Sequence, residues 1–178
     1  MKDTLRVLVS WDCNLNCRYC CNQIPAIRNS IIPTDITDVE WDKYKTFCIS
    51  GGEPLLDMAK VKSVCKQIPE GRLVILYTNG TLLTRDIASA LNVLGVHAIN
   101  VGLHVNLELD NRFIITGFAS IIENVEKAVN GVPIQVRYHA QDIYKNMLGL
   151  DKVFKGVRFR YWKMNDCARS NEDRIVLK

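Results

Sequence analysis

Short apolar runs rich in β-branched residues alternate along this chain with longer stretches whose apolar positions recur every three to four residues. That is the pattern of strand and helix units that build a parallel sheet. Six strands are expected: Leu5 to Ser10, Thr46 to Ser50, Leu73 to Tyr77, Ala98 to Leu103, Ile134 to His139 and Val157 to Trp162. The helix after the second strand carries Met58, Val61, Cys65 and Ile68 on one face. The next starts at a Thr84 N-cap, shows Ile87, Leu91 and Leu94 as its stripe, and stops at Gly95. A third presents Phe118, Ile121, Ile122, Val125, Ala128 and Val129 and closes at Gly131, with Pro133 beyond.

Two regions break the alternation. Between Cys21 and Lys45 the chain holds Pro25 and Pro33 and no sustained apolar stripe, which predicts an irregular crossover with at most a short helix near Asp35 to Tyr44. After Trp162 the tail shows little periodicity. A closed eight-stranded barrel typically takes about 250 residues. Six units in 178 residues therefore predict an α/β fold of a particular kind, a partial (β/α)6 TIM-like barrel open on one side. That side is left for the tail, a partner or the substrate.

Composition narrows the class without naming a function. With 48% hydrophobic and 24% charged residues, the chain has the make-up of one globular domain, taken here as residues 1–178. No apolar run reaches the roughly 20 residues that span a bilayer. A net charge of +4 from 23 basic and 19 acidic residues is too small and too dispersed to point to nucleic acid. A cytoplasmic location is expected from the thiol set described next and from an N-terminus unlike a secretory signal.

Candidate chemistry begins at Cys13-Asn14-Leu15-Asn16-Cys17-Arg18-Tyr19-Cys20, directly after the first strand. Three thiolates at C-x3-C-x2-C spacing suit a [4Fe-4S] cluster with one iron left without a protein ligand. The competing reading is structural zinc, which needs a fourth ligand that no second Cys or His pair supplies at similar spacing. Cys21, adjacent to Cys20, is a poor candidate, and Cys48, Cys65 and Cys167 are isolated. Gly51-Gly52-Glu53-Pro54 follows the second strand, and Tyr77-Thr78-Asn79-Gly80 closes the third. Each alone also reads as an ordinary turn.

All three sets fall at the C-terminal ends of successive parallel strands, the face on which barrel enzymes build their sites. Together they resemble the radical S-adenosylmethionine (radical SAM) superfamily, over about Leu5 to Arg160, in the style of its molybdenum-cofactor and peptide-modifying branch. The resemblance implies that Cys13, Cys17 and Cys20 ligate the cluster and that Tyr19 lies against bound S-adenosylmethionine. It implies that Gly51, Gly52 and Glu53 receive the cofactor's amino group, with Pro54 shaping the turn, and that Thr78 lies near the methionine end. On this reading a bulky residue at Gly52 blocks the cofactor's approach and spares the cluster. Reductive cleavage would give a 5′-deoxyadenosyl radical that abstracts hydrogen, with an electron donor such as flavodoxin or ferredoxin as partner and a peptide or protein side chain as the favoured substrate. The alternatives are a small anionic nucleotide or deazapurine-like substrate, glycyl-radical activation, or a non-catalytic iron-sulfur or zinc-binding module. No auxiliary-cluster extension is expected.

One departure from the family's pattern stands in Ile99-Asn100-Val101-Gly102-Leu103-His104, where similar sequences carry serine at the position of Gly102 and aspartate at that of His104. Asn100, His104 or Asn106 is a candidate to replace the missing hydroxyl. Arg112 or Arg137 is a candidate to clasp the cofactor carboxylate, the competing reading being a solvated arginine. Strand alternation adds that Gln135, Arg137 and His139 share one face, and Arg158 and Arg160 another. If both faces point inward, Arg158 and Arg160 would bind an anionic substrate; if the sheet is open there, they meet water.

Overall fold

The computed structural model describes residues 2–104, 111–144, 149–154, 159–163 and 170–178. Eight strands form one sheet in which every pairing is parallel: β1 Thr4–Leu8, β2 Ile32–Thr34, β3 Thr46–Ser50, β4 Leu73–Thr78, β5 Ala98–Leu103, β6 Gln135–Gln141, β7 Phe159–Trp162 and β8 Asp173–Leu177. The order is β2-β8-β1-β3-β4-β5-β6-β7, and the sheet does not close on itself. The expected open barrel is present, and its six anticipated strands are β1 and β3 to β7.

Two strands were not anticipated. β2 is three residues long with Pro33 at its centre, a composition that argues against a strand unless it lies at an edge, where it is found. β8 is five residues of the tail, too short to show a period. It pairs along β1 from Leu5↔Asp173 to Leu8↔Val176, so the tail itself covers the flank of the first strand.

Alternation along the strands separates two layers. Leu5, Val7, Phe47, Ile49, Leu76, Ile99 and Val101 face the helices and are almost completely buried. Against them lie α2 (Met58–Gln67) through Val61 and Val64, α3 (Arg85–Val93) through Ala88 and Leu91, and α4 (Asn111–Val129) through Ile114, Phe118, Ile122 and Val125. Asp57 caps α2 by accepting from the Lys60 amide at 2.9 Å, and Thr84 caps α3 as predicted, accepting from the Ile87 amide at 3.3 Å. The irregular crossover holds a one-turn helix α1 (Pro25–Arg28) and 3-10 turns at Ile36–Asp38 and Trp41–Lys43. None of the helices among the described residues is long and apolar enough to cross a membrane.

Phe118 is fully buried and meets the Tyr144 ring edge-on at 5.7 Å. Phe118→Ala should therefore cost about 3–5 kcal/mol, read as a lowered urea midpoint; a loss under about 1 kcal/mol would show that this contact is not part of the core.

Candidate functional site

Because every strand runs the same way, the loops after β1, β3, β4 and β5 leave one end of the sheet, where they are tied to one another. Glu53, 1% exposed, is the knot. Its Oε1 accepts from the Leu55 amide at 3.0 Å and from Thr78 Oγ1 at 2.7 Å, and its Oε2 accepts from the Asn79 amide at 2.7 Å. Burial raises the affinity of this carboxyl for its proton, and the three donors oppose that shift. Asn79 reaches onward, donating through Nδ2 to Asn14 Oδ1 at 2.8 Å, and Asn14 donates to Thr81 Oγ1 at 2.8 Å. Asn22 Nδ2 donates to the Gly51 carbonyl at 2.8 Å. Both ends of the cysteine loop are thereby fastened to the two neighbouring strand ends.

The glycine pair serves this fastening. A Cβ on Gly52 would lie 2.1 Å from the Asp12 carbonyl oxygen, and one on Gly51 would lie 2.6 Å from that of Ser10. The backbone bonds Gly52 N to Ser10 O (3.0 Å) and Glu53 N to Asp12 O (2.7 Å) hold the two loops at that spacing. A side chain at Gly52 thus pushes first on the root of the cysteine loop, so the expectation that it would spare the cluster gives way to one in which the cluster suffers too.

Cys13, Cys17 and Cys20 all line a cavity of about 330 Å³, as do Gly51, Gly52 and Thr78. Burial pushes the Cys17 thiol up to about 11, with further contributions from Cys20 and Cys13 nearby, and burial also raises Cys20. Crowded thiols of this kind lose their protons when a cationic group takes their place. Among the described residues no three His, Cys, Asp or Glu side chains close on a single ion. Three thiols at this spacing match one thiolate per iron, as in a cluster, whereas a four-coordinate zinc centre needs a fourth ligand.

On β5 the missing serine has a structural counterpart. A Cβ at Gly102 would lie 2.7 Å from His104 Nε2, so the imidazole folds back over the space that a side chain at 102 would take. The two departures are one exchange. Asn100 is buried on the cavity wall, with Oδ1 lacking a partner among the described residues.

Deeper in the cavity the wall is charged. Arg6 on β1 donates through Nε to Glu172 Oε1 at 2.7 Å and through Nη2 to Oε2 at 3.0 Å, and its guanidinium lies 4.3 Å from the Tyr77 ring centroid. Arg174 Nε donates to Glu172 Oε1 at 3.0 Å, and Ser170 Oγ to the same oxygen at 3.0 Å. Burial, the largest single influence, would loosen the Arg6 proton, but the bond to Glu172 together with the charges of Cys48, Glu172 and Tyr77 outweighs it and holds the guanidinium charged. Glu172 in turn sits below the ordinary carboxylate range, since its donors outweigh its burial.

The remaining candidates fall into two groups. His104 and Arg160 join the cavity wall. Glu53 and Pro54 are buried behind it. Tyr19 is half-buried beside the loop, its carbonyl accepting from Gln141 Nε2 at 2.7 Å. Arg112 is exposed on α4, and Arg137 is exposed with Nη2 donating to Gln135 Oε1 at 2.8 Å; neither lies on the cavity wall. Asn106 and Arg158 lie outside the described residues. Sequence reading missed Asn14, Asn22, Arg6, Glu172 and Arg174. For Arg6 a signal existed, a charged residue alternating with Leu5 and Val7 on a strand whose other face is core.

Comparison with known proteins supports the same architecture. The family model of the Radical SAM superfamily matches residues 8–138. The 7-carboxy-7-deazaguanine synthase of Methanospirillum hungatei is 28% identical over 145 residues, covering 74% of this chain and 61% of that protein. The probable GTP 3′,8-cyclase of Archaeoglobus fulgidus is 31% identical over 157 residues, covering 84% of this chain and 50% of that protein. The chain thus spans about half the length of the curated relatives it matches. Among solved structures, Streptococcus suis SuiB bound to S-adenosylmethionine superposes with a TM-score of 0.54 at 14% identity, over 99% of this chain and 47% of that one.

The cavity imidazoles give a pH signature. Burial depresses both His104 and His139 to about 4, with the charges of Arg160, Arg137 and His104 adding to the effect at His139. The unfolded chain takes up these protons near pH 6.5, so stability present above that pH should fall as pH drops from about 6.5 to about 4. Urea midpoints of the apoprotein across this range should show that loss, and His104→Gln should reduce it; an unchanged slope in the variant would contradict the assignment.

Proposed function

Because the chain belongs to the radical SAM superfamily, we propose that it uses a [4Fe-4S] cluster on Cys13, Cys17 and Cys20 and bound S-adenosylmethionine to initiate radical chemistry on a small molecule held in the barrel. The observation that carries this reading is the convergence of the three thiols with the Gly51-Gly52 and Thr78-Asn79 turns around one cavity mouth. Cys13, Cys17 and Cys20 would hold the cluster, which when bound would supply the electron for reductive cleavage of S-adenosylmethionine to methionine and a hydrogen-abstracting 5′-deoxyadenosyl species.

The chain's own contribution is placement and exclusion of water. Gly51 and Gly52 present backbone beside the thiols. Glu53 acts from behind, holding Thr78 and Asn79 in place. Asn100 offers an acceptor to a donor group on cofactor or substrate. The apolar layer behind the strands gives the rigid frame that a short-lived radical requires.

A small-molecule substrate is favoured over the peptide side chain expected from sequence. The relatives compared above have names that refer to a deazaguanine and to GTP. The cavity, about 330 Å³, is of ordinary ligand-pocket size. A reductant such as flavodoxin or ferredoxin belongs to the same proposal.

The test is chemical. Anaerobically reconstituted protein should bind about four irons per chain and, once reduced, convert S-adenosylmethionine to 5′-deoxyadenosine and methionine, an activity that Cys17→Ala should abolish. Formation of S-adenosylhomocysteine without deoxyadenosine would overturn the proposal.

A further inference from the structure

Arg6 and Arg174 are register partners on adjacent strands, so two guanidinium groups project side by side from the inner face of the sheet. Such a pair repels unless something lies between them, and Glu172 does, with bonds to both. One carboxylate does not balance the wall, however. Three guanidinium groups, those of Arg6, Arg160 and Arg174, line the cavity against the single carboxylate of Glu172 among the described residues. Two of the three are held where water is scarce, the Arg6 and Arg174 side chains being only 20% and 12% exposed, whereas Arg160 is exposed at the rim of the wall. Charge kept partly buried without a full complement of counter-charge is costly to a fold, and it is relieved when an anion enters.

Geometry says where. Arg6 lies four residues before Ser10 on an extended strand, roughly 13 Å below the root of the cysteine loop at about 3.3 Å per residue. Its edge toward Glu172 uses Nε and Nη2, and Tyr77 covers one face. The Tyr77 hydroxyl is a further hydrogen-bond partner of the Arg6 side chain, so the guanidinium is held with its edge toward the cavity that it lines. Beside Tyr77 stands Asn100, whose amide bonds the Tyr77 hydroxyl and whose Oδ1 lacks a partner among the described residues. His139 Nε2 on β6 is likewise without one, and Arg160 follows on β7 as its register partner.

Building on the radical reading above, we propose that the floor of the cavity is a substrate subsite for an oxyanion, carboxylate or phosphate, held by Arg6 and Arg160 with Arg174 and Glu172 fixing Arg6 in place, while Asn100 Oδ1 takes a hydrogen-bond donor from the same molecule. A substrate anchored there has its other end toward the cysteine loop. The subsite exists because β8 pairs with β1: without that strand, Arg6 would have neither Glu172 nor Arg174 beside it.

The experiment is calorimetric titration of reconstituted protein, saturated with S-adenosylmethionine, with inorganic phosphate and separately with malonate, at matched ionic strength against chloride. One or both anions should bind. Affinity for the bound anion should fall at least about tenfold in Arg160→Gln and in Arg6→Lys, which keeps the charge beside Glu172 but loses the fork. It should be unchanged in Lys127→Gln, on the outer surface of α4. A preference for phosphate identifies a phosphorylated substrate, and one for malonate a carboxylate. Failure of both anions to bind, or binding undiminished in both arginine variants, overturns the subsite. Deoxyadenosine formation by the wild-type sample reports separately on the radical reading.

Discussion

The site depends on one buried carboxylate. Glu53 is almost fully withdrawn from water, a position that would cost an ionised side chain several kcal/mol without compensating hydrogen bonds. Three donors supply them, two backbone amides and one hydroxyl, from its own turn and from the end of the next strand. Through Asn79 the same carboxylate reaches Asn14 inside the cysteine loop. A loop of eight residues with three thiols has little apolar material to fold around. Its shape comes from polar bonds to its neighbours and from the close backbone approach that only glycine at 52 allows.

A second constraint runs down the barrel. Parallel strands place their alternate side chains in two layers, and here the outer layer is hydrocarbon while the inner one carries Arg6, Tyr77, Asn100, His139 and Arg160. The tail strand completes that inner layer by bringing Glu172 and Arg174 against Arg6. The cysteine end and the charged floor are thus two ends of one cavity, one suited to a thiolate-bound cluster and the other to anions.

Much of the fold was legible because its signals are periodic. Alternation of runs gave the six central strands, and Thr84, Gly95 and Gly131 marked helix ends that the structure reproduces, both glycines having positive φ. The two unanticipated strands were illegible for physical reasons: β2 has a proline at its centre, and β8 has five residues whose partner is known only after the sheet is built. At the site, spacing revealed the thiols and the glycine turn. It did not reveal that Glu53 faces backward into protein, because a carboxylate in a turn reads the same whether it meets a ligand or two amides. Nor did it show that Gly102 and His104 are coupled, a relation that depends on one side chain's rotamer.

The account's central claim is that the Glu53 carboxylate, whose hydrogen-bond partners among the described residues are Leu55, Thr78 and Asn79, sets the shape of the cysteine loop. Glu53→Gln tests it, since an amide of equal size must present N–H to a position where Glu53 now accepts one. Iron content after anaerobic reconstitution is the measurement. The account predicts far fewer than the roughly four irons per chain of a full cluster, with far-UV circular dichroism unchanged; a full complement of iron in the folded variant would contradict it.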